Sequence, residues 1–125
     1  MIRESRPEPQ TGRPFTDAEA TYLAENFIGR VATASRDGAP HVVPVSYRFD
    51  GTVILFGGWN LTSSLKYRNL MSNSKVAFVV DDVVSADPWR VRGLEVRGRA
   101  ELVTIDGVSM VRIIPLNIRS WGLGS

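Results

Sequence analysis

The chain has 125 residues, room for one ordinary domain, and 43% of them are hydrophobic, enough for a real core. A formal net charge of +2 favours anionic small molecules over nucleic acid as partners. With no Cys and a single His, His41, disulfides, thiolate catalysis and Cys- or His-rich metal sites are excluded, and so is a Ser-His-Asp triad unless His41 is its base.

Residues 1 to about 14 are polar and proline-rich and are expected to form a flexible N-terminal arm, with residues 15–125 as one domain. The first stretch lacks the apolar core of a secretory signal, and no run has the length of a membrane-spanning helix, so a cytoplasmic location is expected. Thr16 opens T-D-A-E, a capping-box signature. A helix is predicted from about Asp17 to Asn26, with Tyr22, Leu23, Phe27 and Ile28 as a one-sided apolar stripe. Val31 to Ser35 reads as a small-residue strand ended by Asp37-Gly38. His41 to Phe49 reads as a second, ended by Asp50-Gly51, and Val53 to Phe56 as a third; Asp-Gly pairs suit tight hairpin turns.

Ser63 to Met71 reads as a second helix with Leu65, Leu70 and Met71 inward. Lys75 to Asp82 is nearly continuously apolar, the pattern of a strand buried on both faces. Ser85 to Trp89 reads as a loop. Arg92 to Thr104 alternates, with Leu94, Val96, Gly98, Ala100 and Leu102 on one face. The other face carries Glu95, Arg97, Arg99 and Glu101, an ion-pair ladder or part of a dimer interface. Ser109 to Ile118 is the last strand, and Pro115 within it predicts an edge or a bulge. The order α-β-β-β-α-β-β-β predicts a mainly β (α+β) domain: a small six-stranded antiparallel barrel with two short helices. Such a barrel fills its own interior with side chains, so a larger ligand is expected outside it or at a subunit interface.

Between Gly38 and Asn69 the predicted hairpin empties through Gly57-Gly58-Trp59-Asn60 into a helix start with Ser64, Lys66 and Arg68. Lysine occurs only at 66 and 75. A helix N-terminus with Ser and Lys offers N–H groups, a hydroxyl and a cation to a phosphate, although a solvated surface lysine is the plainer reading of Lys66. Trp59 and Trp89 read equally well as packing residues or dimer contacts, Trp121 as an anchor for the C-terminal tail, and His41 as a surface or hydrogen-bonded side chain.

Several short segments, in this order and spacing, resemble the pyridoxamine-phosphate-oxidase-like split β-barrel flavoproteins. They are Ile28 to Ala34, Asp37 to Pro40, Val43-Pro44-Val45 with Tyr47 to Gly51, Lys66 to Leu70, Val91 to Gly98, and Ser120 to Leu123. Within that superfamily the chain looks like the branch that uses the deazaflavin coenzyme F420, with FMN as the alternative cofactor. The resemblance implies a homodimer with the cofactor at the subunit interface and an oxidoreductase that passes a hydride to a small organic acceptor. A non-catalytic cofactor-binding protein is the alternative from another class. By the same resemblance, Val43, Pro44, Val45 and Ser46 line the ring, and Gly57, Gly58, Trp59 and Asn60 pass close to the cofactor. Ser64 and Lys66 contact its phosphate with Arg68 as a helper. Trp89, Arg92 and Trp121 reach in from the partner subunit. No catalytic side chain and no metal are implied, because the cofactor carries the redox chemistry. Pyridoxamine phosphate oxidases carry a further C-terminal Arg-His substrate motif. Here the sequence runs out after Arg119-Ser120-Trp121, so oxidation of pyridoxamine phosphate is not expected.

Overall fold

Alternating side chains on six antiparallel strands close the chain into a barrel with two helices outside it. The computed structural model describes residues 13–58 and 60–124; residues 1–12, most of the expected arm, and Trp59 lie outside the described residues. The strands are β1 (Ile28–Ala34), β2 (Pro40–Phe49), β3 (Ile54–Phe56), β4 (Lys75–Ala86), β5 (Trp89–Ile105) and β6 (Val108–Trp121). Around the barrel they run β1-β2-β3-β6-β5-β4 and return to β1. The helices are α1 (Asp17–Glu25) and α2 (Leu65–Ser72), the second preceded by a single 3-10 turn, Leu61–Ser63.

The capping box forms as the sequence predicts. Thr16 Oγ1 accepts from the Glu19 amide at 3.1 Å, and Glu19 Oε1 accepts from the Thr16 amide at 3.0 Å. Tyr22 and Leu23 bury the inner face of α1, and the Tyr47 hydroxyl donates to the Leu23 carbonyl at 2.6 Å. The apolar stripe ends sooner than expected. The chain turns extended at Asn26, so Phe27 and Ile28 leave the helix face and lie exposed. On α2 the buried pair is Asn69 and Leu70, while Leu65 and Met71 face outward. The polar Asn69 displaces them because its Nδ2 donates to Thr33 Oγ1 at 3.0 Å and pins the helix to β1.

Inside the barrel Val31, Val45, Ile54, Phe56, Phe78, Val80, Leu94, Val96, Val111 and Ile113 form one core. Phe78 meets Tyr47 edge-on at 5.2 Å and fills the space over Gly29, where a Cβ would lie 2.2 Å from the ring. The interior therefore holds side chains, as expected for a barrel this small. β4 corrects an expectation. It is not buried on both faces: Val76, Phe78 and Val80 point in, Ala77 and Val79 are half covered, and Val83 and Val84 are exposed. The expected loop at Ser85 to Trp89 is instead the two-residue tip of a long hairpin, because β4 and β5 stay paired out to Ala86 and Trp89.

Pro115 marks a bulge. Arg97 pairs with Asn117 but Gly98 pairs with Pro115, which leaves Leu116 as the extra residue. Gly98 is required there, since a Cβ would come within 2.1 Å of the Ile114 carbonyl oxygen. Among the described residues, no helix is long and apolar enough to cross a membrane.

Candidate functional site

β3 has only three residues, and this shapes the site. It pairs with Tyr47, Arg48 and Phe49 of β2 and no further. β1 covers the other edge of β2 from Pro40 to Ser46. Along those residues the β3-side backbone of β2 therefore has no strand neighbour among the described residues. Such an edge offers N–H and C=O groups that need partners. Val43 and Val45 turn their side chains toward the core, so only their backbone is available to a ligand. Val42, Pro44, Ser46 and Arg48 alternate outward and are exposed.

Where β3 ends, a groove of about 260 Å³ opens, lined by Ser46, Arg48, Leu55, Gly57, Gly58 and Met110 among others. It brings Ser46, Gly57 and Gly58, three of the sequence-predicted residues, to one place. Gly58 has φ +122°, and a Cβ on it would meet nothing within 4 Å. At Gly58 the backbone is therefore open to close approach by a ligand. Arg48 and Met110 were missed by sequence reasoning. Only the register, which sets Arg48 beside Leu55 and places Met110 near them, reveals them.

From this groove the chain runs through Asn60, whose φ of 61° is left-handed, into the 3-10 turn and α2. Ser64 caps α2: its Oγ accepts from the Tyr67 amide at 3.3 Å and donates to the Leu61 carbonyl at 2.6 Å. That uses the hydroxyl internally but leaves the first-turn amides of Leu65 and Lys66 without helical partners. Lys66 is half-buried and Arg68 exposed, and no hydrogen bond or ion pair of either side chain occurs among the described residues. A capped helix start beside two such cations offers N–H donors and positive charge of the kind an anion needs.

His41, opposite Thr33 in the register, is half-buried. Its Nδ1 is buried without a hydrogen-bond partner among the described residues. A polar atom left that way costs about 1–3 kcal/mol.

Trp89, Arg92 and Trp121 do not join this track within one chain. Trp89 stands 67% exposed at the β4–β5 hairpin tip. Arg92 is taken: its Nε donates to Asp82 Oδ1 at 2.9 Å, its Nη2 to Oδ2 at 3.3 Å, and its guanidinium lies 5.1 Å from the Tyr22 ring centre. The Tyr22 hydroxyl also donates to Asp82, at 2.7 Å. Arg92 and Tyr22 together hold the Asp82 carboxyl below the usual range, and burial, with Asp82 beside it, pushes the Tyr22 hydroxyl up. Trp121 lies over Gly93, where a Cβ would be 2.5 Å from its ring.

Nearby, Glu19 is 2% exposed and fully engaged. It accepts from Arg13 at 2.7 and 2.9 Å, from the Thr16 amide, and from Ser120 Oγ at 2.6 Å. The Arg13 guanidinium, helped by Ser120 and the Thr16 amide against the cost of burial, lowers its pKa from 4.5 to about 2.

On the outside of β2, β1, β4 and β5, the register aligns Val42 with Ala32, Ala77 and Arg97, and Pro44 with Arg30, Val79 and Glu95. This face mixes small and apolar side chains with Arg30, Glu95 and Arg97, and a shallow groove of about 130 Å³ lies among Arg30, Ala32, Val42, Ala77, Val79 and Glu95. A groove of about 480 Å³ beside it is lined by Ala32, Ala34, Ala77 and Gly98 with Lys75 and Arg97 at its rim. The Glu95 to Glu101 stretch forms ion pairs, Arg97 with Glu95 at 3.5 Å and Glu101 with Arg112 of β6 at 2.7 Å.

Six antiparallel strands closed into a barrel, with a slot where one strand stops short, define a split β-barrel. The chain belongs to the pyridoxamine 5'-phosphate oxidase family, whose model matches residues 15–113. It is 40% identical to a 5a,11a-dehydrotetracycline/5a,11a-dehydrooxytetracycline reductase of Streptomyces rimosus, over 88% of this chain and 84% of that protein. Among solved structures it is similar to a conserved hypothetical protein of Mycobacterium tuberculosis, with a TM-score of 0.72 and 24% identity over 86% of this chain and 84% of the other. It is also similar to an F420 reductase, with a TM-score of 0.64 and 26% identity over 78% of this chain and 94% of that one.

Proposed function

We propose that this protein is a reductase that binds the deazaflavin coenzyme F420 and delivers a hydride to an electron-poor, fused-ring organic acceptor. The observation that carries the reading is the 40% identity, over most of both chains, with a reductase named for two dehydrotetracyclines. The likeness to an F420 reductase supports the choice of cofactor. The site fits such a group: an unpaired strand edge for the polar rim of a ring, the open backbone of Gly58 beside it, and a helix start with Lys66 for its phosphate. The bound cofactor would supply the hydride.

This chain's residues do the rest. Pro44, Ser46, Gly57 and Gly58 would wall and orient the ring. Ser64, by capping α2, keeps the amides of Leu65 and Lys66 aimed outward, and Lys66 and Arg68 add charge for the phosphate. The face of Val42, Pro44, Ala32, Ala77 and Val79, edged by Arg30, Glu95 and Arg97, gives a second copy of the chain a surface to cover, and the family resemblance implies that Trp89 and Trp121 of one subunit then reach the ring held by the other. Covering the ring excludes water from the acceptor cleft.

Reconstitution with each cofactor tests the reading. The expected result is saturable binding of F420, followed by bleaching of its visible absorption when reduced and its return when an enone acceptor is added. Tight binding of FMN with none of F420 would replace the cofactor, and a bound cofactor that never changes redox state with any acceptor would replace the enzyme with a carrier.

A further inference from the structure

We propose that the groove on the outside of β1, β4, β5 and β6 is a second binding site, which takes a flat, fused-ring molecule carrying one acidic group. That this molecule is the acceptor rests on the reductase reading above; the match between groove and ligand does not.

The groove has a cause in the sequence. On the outer face of a small barrel, alternate residues meet solvent and are usually polar. Ala32 and Ala34 on β1 and Ala77 on β4 take such outward positions instead, and Ala32 stands opposite Ala77. Gly98 of β5 continues this floor, and Leu116, the extra residue of the β6 bulge, lines it too. The result is a mainly apolar concavity of about 480 Å³, within the range of small-molecule sites. Larger side chains at the three alanines would fill it.

The polar groups are few, and the charges are of one sign. Thr33 has its hydroxyl bonded to Asn69. Asn117 is neutral, and the charged lining residues are Lys75 and Arg97, with no carboxylate in the lining. Arg97 has Glu95 at 3.5 Å. Lys75 is exposed and has no side-chain hydrogen bond or ion pair among the described residues. The residue opposite it is Arg99, whose carboxylate is Glu101 at 3.8 Å. Other cations of the chain also lack a carboxylate partner. Lys75 differs in standing on the rim of an apolar groove, so a ring laid over the alanines brings its acid to the side of a free ammonium. A cationic ligand would meet Lys75 and Arg97, and a strongly polar one would lose hydration against the alanine floor.

The groove also leads toward the proposed cofactor wall. The shallow groove that includes Val42 shares Ala32 and Ala77 with it, and Val42 is two residues from Pro44 on the same face of β2. A second copy covering Val42 and Ala32 would close the groove along that side. A quinone or enone bound there would take up the hydride of the reduced cofactor and one proton from water.

The probes are 2-hydroxy-1,4-naphthoquinone, an anion at neutral pH, and 2-methyl-1,4-naphthoquinone, a neutral counterpart. Both are titrated into the unmodified protein, Lys75→Met and Ala34→Leu, with binding read from backbone amide shifts, whose dispersion also shows that each variant is folded. The expected result is saturable shifts at Ala32, Ala34, Ala77 and Gly98, with the anion bound more tightly. Lys75→Met should weaken the anion about fivefold and leave the neutral quinone unchanged. Ala34→Leu should weaken both about tenfold. Equal losses for both probes in Lys75→Met, or shifts centred on Gly57 and Gly58, would overturn the assignment. So would an absence of saturable shifts in the unmodified protein. F420 and FMN are titrated into Ala34→Leu as well, and a matching loss of cofactor affinity would make the groove the cofactor's and overturn the proposal. Groove binding of the anion with no binding of either cofactor would support the site and overturn the reductase reading alone.

Discussion

The two ends of this barrel treat charge in opposite ways. Around α1 and the last turn of β6, polar groups answer one another. Glu19 takes Arg13, Thr16 and Ser120, and Asp82 takes Arg92 and Tyr22. Along β2, β3 and α2, Arg48 has only a thioether, and Lys66 and Arg68 have no side-chain partner among the described residues. The first region is complete within one chain and reads as architecture. The second leaves Arg48, Lys66 and Arg68 without a carboxylate partner among the described residues, beside an open strand edge, which suits the anionic, planar cofactor proposed above.

The largest expected effect breaks the second region at the subunit contact proposed to cover it. Val42 is 66% exposed on the outward face of β2. Val42→Asp would place a charge against its own copy in a dimer, where like charges cost several kcal/mol. Sedimentation should show a shift from dimer to monomer, and cofactor affinity should fall by about 100-fold or more. A variant that stays dimeric would move the interface elsewhere.

Next comes Lys66→Met. A charge-assisted contact is worth about 1.5–3 kcal/mol, so the dissociation constant for the phosphorylated cofactor should rise roughly 30-fold with the thermal midpoint unchanged.

Glu19→Gln probes the complete region and should do the reverse, lowering stability by about 2 kcal/mol with cofactor affinity intact. The pH dependence carries a sign. The Glu19 pKa falls from 4.5 to about 2 on folding. Its contribution is thus fully present above pH 4.5 and is lost as pH drops toward 2. The unfolding free energy from denaturant titrations should fall as pH drops through that window in the unmodified protein and fall less in Glu19→Gln.

The smallest effect is expected from Arg92→Gln, whose partner Asp82 is partly solvated. It should shift the thermal midpoint less than Glu19→Gln does. A large loss of cofactor affinity in this variant would instead bring the hairpin into the site.

Much of this was legible from local pattern. Thr16 and Glu19 announce a capping box, the Asp-Gly pairs announce hairpins, and Pro115 announces the bulge. What was hidden is non-local. Glu19 also binds Ser120, 101 residues away, and nothing near either residue signals it. Phe27, Ile28 and Met71 extend a helical stripe on paper, but the chain leaves the helix at Asn26, and Asn69 takes the buried place on α2 for its bond to Thr33. At the site, Ser46, Gly57, Gly58 and Lys66 were readable as a hairpin entering a helix. Arg48 was not, because only the register sets this exposed strand arginine beside Leu55 at the groove.

The most direct test of the central contrast is a crystal structure with bound cofactor. The ring is expected in the groove of Ser46, Arg48, Gly57 and Gly58, with its phosphate at the amides of Leu65 and Lys66. A ring seated instead in the groove of Ala32, Ala77 and Gly98, with Arg48 and Lys66 left bare, would contradict the account.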